Sequence, residues 1–175
     1  MANLCVIGAR GGSSGLPGKN IKLLLGKPLI AWSIDQALNT PEINKVIVST
    51  DSIEIANVAQ SHGAEVPFIR PKNLSGPNVG KFQVWQHALN ACEKHYDEDF
   101  DMFIDLDCTN PLRTPDDISK AIKQLRKGRK RHIDAVFSVC NARKNPYFNM
   151  VELKENGGGT KLNERFLRRP LKQNL

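Results

Sequence analysis

Short apolar runs alternate with longer amphipathic stretches along this chain. Leu4 to Gly8 is an apolar run closed by glycine, the pattern of a strand buried on both faces. Lys45 to Ser49 repeats it around Val46-Ile-Val, and Met102 to Leu106 and Ala135 to Val139 predict two further strands. Between them the pattern predicts helices over Pro28–Leu38, Ser52–Ser61, Gly80–His95 and Pro115–Lys127. The last has the clearest signature. Ile118, Ala121, Ile122 and Leu125 recur at i, i+3, i+4 and i+7, Pro115 stands just inside the start, Thr114 is placed to cap it, and Gly128 follows. Thr50 or Asp51 is placed to cap the helix that begins near Ser52. Tyr147 to Leu153 predicts a half-buried strand, followed by Asn156-Gly-Gly-Gly and a basic tail carrying Arg165, Arg168, Arg169 and Lys172.

Strands that alternate with helices form βαβ units, so the fold class is α/β with a mainly parallel sheet covered on both faces. Right-handed crossovers bring the C-terminal strand ends to one edge, where open α/β sheets bind their ligands. The loops after the strands ending at Gly8, Ser49 and Leu106 are therefore expected to face one crevice.

Composition narrows the class without naming the chemistry. Among 175 residues, 40% are hydrophobic and 25% charged, which fits a globular domain and excludes a collagen-like, wholly disordered or disulfide-scaffold chain. No run approaches the ~20 apolar residues needed to span a bilayer, so no membrane-spanning segment is expected, and a membrane is not among the expected partners. The N-terminus enters a strand without the basic region of a signal peptide, which makes cytoplasm the expected compartment. Cys5, Cys92, Cys108 and Cys140 form no C-x-x-C pair and are expected to be free thiols, not zinc ligands. The net charge of +7 points to an anionic partner, with nucleotide, acidic sugar, nucleic acid and membrane surface all open on charge alone. Aromatic content of 6% gives little base-stacking surface, so no specific nucleic acid is expected. The basic run from Arg126 to His132 reads as a solvated helix end, with an acidic polymer as the alternative. His87, among Val84, Ala88 and Ala91, reads as a packing histidine.

The densest chemistry lies in Gly8-Ala-Arg-Gly-Gly-Ser-Ser-Gly-Leu-Pro-Gly-Lys-Asn20. Five glycines permit close backbone approach, backbone N–H groups in such a loop make a concave anion site, and Arg10 and Lys19 add full positive charges. A Walker A loop would need glycine at Ser13 and Ser or Thr at Asn20, and G-x-G-x-x-G is absent. A flexible surface loop with incidental charge is the alternative.

That run, with Gly26-Lys-Pro-Leu-Ile-Ala-Trp-Ser-Ile, resembles the N-terminus of the N-acylneuraminate cytidylyltransferases, the CMP-sialic and CMP-nonulosonic acid synthetases. The resemblance continues in order through Val48-Ser-Thr-Asp-Ser-Ile-Glu-Ile-Ala, Phe68-Ile-Arg-Pro, His87-Ala-Leu, Thr109-Asn-Pro-Leu-Arg-Thr and Asn145-Pro-Tyr-Phe-Asn-Met-Val-Glu, covering about residues 4–153. It implies a three-layer, Rossmann-like nucleotidyltransferase fold. Residues 1–140 would be the nucleotide-binding α/β domain, and 141–175 part of a dimerisation and sugar-site extension with a basic tail. The implied reaction joins CTP to an acidic nonulosonic sugar and releases pyrophosphate, in a homodimer. By the same resemblance Arg10 and Lys19 grip the triphosphate, and Ala9, Gly11, Gly12 and Ser13 line it. Asn20 contacts the nucleotide, Arg70 lies near the cytosine, and the segment Asn78–Lys81, with Gly80, closes over the base. A surface salt bridge is the other reading of Arg70.

Asp105-Leu-Asp107 adds a second feature. Strand alternation puts both carboxylates on one face at a strand end, and two neighbouring carboxylates raise one another's pKa unless a cation joins them. Mg²⁺ is commonly held by one or two carboxylates plus substrate phosphates, so Mg²⁺ is the expected cofactor, with Asp107 and Asp105 as ligands. Alternatively, Asp107 caps a turn or pairs with Arg113. Sialic acid enzymes commonly carry glutamine and proline where Asp107 and Cys108 stand, and the Asp-Leu-Asp form and Gly80-Lys81 look more like the bacterial legionaminate subgroup. The family pattern continues past Leu175 with a further strand and metal-binding acids. A truncated, non-catalytic nucleotide-binding homologue is therefore one competing expectation; because the glycine-rich loop reads phosphates and not the base, a nucleotidyltransferase for another acidic sugar or another nucleoside triphosphate is the other.

Overall fold

In the computed structural model, residues 2–12, 15–129, 132–139, 151–153 and 159–161 are described. Strand β1, Ala2–Gly8, is buried from Ala2 to Ile7 and emerges only at Gly8. It is the middle strand of a parallel sheet, with β4 (Lys45–Ser49) on one side and β5 (Phe100–Asp107) on the other. Leu4 to Gly8 pair with Lys45 to Ser49, and Val6 and Gly8 stand opposite Asp105 and Asp107. The expected α/β fold with a parallel sheet is present.

Because β1 is covered on both faces, its apolar run is continuous rather than alternating. Cys5 and Ile7 face one layer, packed with α1 (Leu29–Leu38), α2 (Ile53–Ser61) and α4 (Pro115–Gly128) through Ile30, Ile34, Ile55, Ala59, Ile118 and Ile122. Leu4 and Val6 face the other, packed with α3 (Lys81–Tyr96) through Ala88 and Cys92. Leu4, Ile7, Ile30, Ile34 and Ile47 are fully buried, each worth about 1.5–3 kcal/mol in apolar transfer. Three layers result: helices, sheet, helix.

The chain divides into two units, 1–136 and 137–175. In the second, β6 (Val151–Leu153) and β7 (Gly159–Lys161) form an antiparallel ladder. The strand expected over Tyr147 to Leu153 is seen at its last three residues, and the rest of it, with the Asn156 turn, Cys140, Arg165, Arg168, Arg169 and Lys172, lies outside the described residues. A hairpin of β2 (Leu23–Leu24) and β3 (Lys27–Pro28) precedes α1.

Two expectations are corrected. Ala135 to Val139 forms no strand: Phe137 and Val139 are exposed, and the stretch has no ladder partner among the described residues. An apolar pattern reports a need for burial, whereas a strand also needs a neighbour to bond. The cap of α2 is Ser52, whose Oγ accepts from the Ile55 N–H, and neither Thr50 nor Asp51 takes that role. Thr50 Oγ1 is engaged by the Ser52 N–H and Asp51 Oδ1 by the Gly11 N–H.

Thr114 caps α4 as expected, in a capping box. Its Oγ1 accepts from the Asp117 N–H at 3.2 Å, and Asp117 Oδ2 accepts from the Thr114 N–H at 2.9 Å. Thr114→Ala is expected to destabilise the fold by about 1 kcal/mol. Urea denaturation checks this, and an unchanged midpoint would contradict the cap.

Candidate active site

The chain passes from β1 to β4 on one side of the sheet and later to β5 on the other, so the switch of direction lies between β1 and β5. Open α/β sheets bind ligands at the carboxyl end of such a switch point. Here a cleft of about 240 Å³ opens between the two strand ends, lined by Gly8, Arg10, Lys19 and Asn20 from the first loop and by Asp107 and Thr109 from the end of β5. A second cleft of about 320 Å³ shares Gly8, Arg10 and Asp107 and is walled by Arg70, Gly76, Lys81 and Trp85. The loops after β1 and β5 thus meet at one edge, whereas the loop after β4 lines neither cleft and reaches this edge through Asp51, beside Gly11. Both clefts lie within the first unit.

The glycine-rich loop is held in shape by its neighbours. Asp51 Oδ1 accepts from the Gly11 N–H at 2.8 Å, and Asn20, itself buried, donates from Nδ2 to the Arg10 carbonyl at 3.1 Å. Arg10 Nη1 donates to the Gly76 carbonyl at 3.0 Å, joining this loop to the segment that walls the second cleft. Of the four loop glycines described with Gly8, only Gly18 takes a positive φ, +65°, where the chain enters the turn Lys19–Ile21. A methyl group at Gly11 would come within 3.2 Å of Ser52 Cβ, whereas Gly12 and Gly15 face open space. The first is needed for packing, the second pair for access.

Arg70 is 6% exposed, so the surface salt bridge is excluded. Its Nε donates to Ser49 Oγ at 3.0 Å and its Nη2 to the Ser49 carbonyl, which pins the guanidinium beneath Gly8 on the wall of the second cleft. Burial pushes its pKa down, opposed by the Asp51 charge.

Asp105 and Asp107 project on the α3 side of the sheet, as alternation requires. Lys81 Nζ, in the first turn of α3, lies 2.6 Å from Asp105 Oδ2 and 2.8 Å from Asp107 Oδ1. Trp85 Nε1, one turn on, donates to Asp105 Oδ1 at 3.0 Å. Burial lowers the Lys81 pKa, yet the bonds and charges of the two aspartates outweigh it and the net shift is upward. Arg113 donates to Ser33 Oγ at 3.1 Å and forms no ion pair with Asp107. Among the described residues no group of three or more His, Cys, Asp or Glu converges as a metal cage. A divalent cation at this edge would rest on the aspartate pair plus ligand oxygens, which suits Mg²⁺.

The sequence-derived set therefore divides. Arg10, Lys19, Asn20, Arg70, Lys81, Asp105 and Asp107 converge on the two clefts. Ala9 is buried and its N–H is spent on the Ser49 carbonyl; Gly11 and Gly12 are exposed nearby; Asn78 and Gly80 are exposed but line neither cleft. Ser13 lies outside the described residues. Sequence reasoning missed Trp85, Asp51 as the loop's tether, and Ser49 beneath Arg70. His87 packs edge-on against Phe68 with ring centroids 5.1 Å apart, but its buried Nδ1 has no hydrogen-bond partner among the described residues, so it is a packing histidine without being a satisfied one. Arg129 is drawn to Asp101 at 2.8 Å, so part of the basic run closes off the end of α4. Cys5, Cys92 and Cys108 are free and buried, with burial pushing the Cys92 and Cys108 thiols up to about 12. No helix among the described residues is long and apolar enough to cross a membrane.

A family model described as "Cytidylyltransferase" matches residues 4–165. CMP-N,N'-diacetyllegionaminic acid synthase of Campylobacter jejuni is 42% identical over 153 residues, 87% of this chain and 64% of that protein. Post-translational flagellin modification protein B of Campylobacter coli is 40% identical over 152 residues, 87% of this chain and 63% of its own length. The chain thus spans somewhat under two thirds of these relatives. Among solved structures, CMP:2-keto-3-deoxy-manno-octonic acid synthetase complexed with CTP superposes with a TM-score of 0.60 at 25% identity, covering 74% of this chain and 49% of that one.

Proposed function

The chain belongs to the cytidylyltransferase family, and from that premise we propose that it transfers CMP from CTP to the anomeric hydroxyl of an acidic nonulosonic sugar. The observation that carries the reading is the convergence of Arg10 and Lys19 with Asp107 across the cleft at the β1–β5 switch point. Relatives named for legionaminic, pseudaminic and N-acylneuraminic acids support the acceptor class.

In-line attack of the sugar hydroxyl on the α-phosphate needs positioning and charge neutralisation, and no protein nucleophile. Arg10 and Lys19 bind the triphosphate and offset the charge that gathers on the departing pyrophosphate. Gly12 and Gly15, with nothing within 4 Å of a methyl group built on them, let the phosphates approach the loop backbone. Arg70 walls the second cleft, where the cytosine would lie. Asp107 would hold Mg²⁺, with Asp105 behind it. When bound, the ion neutralises phosphate charge and orients the α-phosphate. The proposal includes a homodimer in the cytoplasm, checked for assembly by light scattering.

Pyrophosphate release with CTP, Mg²⁺ and a panel of nonulosonic acids tests the reading. Release is expected only when CTP and one of the acids are both present. CTP binding without release under any acid would favour a nucleotide-binding homologue that does not transfer. Release with another nucleoside triphosphate in preference to CTP would contradict the cytidylyl assignment.

A further inference from the structure

We propose that Lys81 is a resident counter-cation of the Asp105–Asp107 pair. It holds the place between the two carboxylates that a divalent ion takes alongside the nucleotide, so metal entry requires this ammonium to leave. The part that concerns nucleotide rests on the cytidylyl-transfer reading; the ion-pair geometry does not.

Two carboxylates on one strand face repel each other and would repel a triphosphate. Divalent metal is one remedy, and this chain carries another of its own. Lys81 Nζ bridges Asp105 Oδ2 at 2.6 Å and Asp107 Oδ1 at 2.8 Å, closing a salt bridge to each. The first turn of α3 sits over this end of β5, which adds the positive end of the helix dipole.

The three groups differ in how firmly they are held. The Asp105 side chain is 22% exposed, with Oδ2 on Lys81 and Oδ1 on the Trp85 indole N–H. Both its oxygens are occupied, so its aim is fixed. Asp107 is 55% exposed and meets Lys81 through Oδ1 alone. Lys81 is 53% exposed, so its ammonium can swing away without opening the core. Asp105 is accordingly the positioning residue, Asp107 the group that changes partners, and Lys81 the group displaced. The displaced ammonium stays on the wall of the second cleft, which it shares with Arg10 and Arg70. A cation is thereby released on the side where the nucleotide's negative charge arrives.

Metal affinity in the absence of nucleotide depends on this exchange. Mn²⁺ serves as the probe, with free Mn²⁺ read by electron paramagnetic resonance. Lys81→Met keeps most of the side chain's length and removes the charge. It is expected to bind Mn²⁺ roughly three- to tenfold more tightly than the parent, the combined worth of two half-exposed ion pairs. Adding Asp107→Asn to Lys81→Met should return binding to the parent level or below. The Trp85 indole N–H signal should broaden at lower Mn²⁺ in Lys81→Met than in the parent, a signature that loss of packing alone would not produce. Circular dichroism confirms folding, and Lys81→Gln serves as a second charge-free variant.

Equal or weaker Mn²⁺ binding in the folded charge-free variants would overturn the proposal. Failure of the parent to bind CTP would count against the cytidylyl-transfer reading and leave this comparison intact.

Discussion

Arg10→Ala is expected to weaken CTP binding by roughly 10- to 150-fold, the range for one charge-assisted hydrogen bond of 1.5–3 kcal/mol. Arg10 does two things at once. Its charge faces the first cleft, and its Nη1 ties the loop to the Gly76 carbonyl on the second. Lys19→Ala removes a charge without a comparable tether and should fall in the lower part of that range. Arg10→Lys keeps the charge but replaces a planar fork with a point donor, so it should recover only part of the loss. Neither alanine variant empties a core position, because both side chains are only partly buried. Thermal midpoints should therefore stay close to the parent while calorimetric titration with CTP shifts. Unchanged titrations in both variants would remove the phosphate-loop assignment.

Asp107→Asn is expected to lower Mg²⁺-dependent turnover by about tenfold or more, through lost charge at the metal. The direction without Mg²⁺ is the opposite. Removing a carboxylate beside a triphosphate relieves repulsion, so metal-free CTP binding should tighten while its enhancement by Mg²⁺ shrinks. The half-exposed pair with Lys81 is worth roughly 0–1 kcal/mol, so stability should barely move. A variant with the parent's Mg²⁺ dependence would leave Asp107 as a structural partner of Lys81 only.

Much of this architecture could be read from the chain because the information is local. Runs such as Leu4 to Ile7 and Val46 to Val48 must be buried on both faces, and a parallel sheet covered by helices on both sides provides that, for the middle strand β1 and for β4 beside it. Alternation alone put Asp105 and Asp107 on one face. The Thr114-Pro115 start of α4 is a signal within four residues. The cation between the aspartates had to be sought across space: Lys81 and Trp85 lie 24 and 20 residues from Asp105 and meet it only because α3 packs over β5. Ser49 under Arg70 and Asp51 beside Gly11 are likewise pairings between distant loops. The short hairpin at Leu23 to Pro28 was missed although its turn carries a local sign. Leu25 and Gly26 take φ of +52° and +80°, and glycine at the second position is the mark of such a turn. Ala135 to Val139 misled for the reverse reason, since its pattern is strand-like but no ladder partner meets it among the described residues.

On the cytidylyl-transfer reading, the edge between β1 and β5 receives a cytidine triphosphate together with a divalent cation. Calorimetric titration of CTP into the parent chain and Asp107→Asn, each with and without Mg²⁺, tests it most directly. The predicted result is saturable binding by the parent that Mg²⁺ strengthens, and binding by the variant that is tighter without Mg²⁺ and gains little from it. Absence of CTP binding, or a gain from Mg²⁺ that is the same in both proteins, would contradict it.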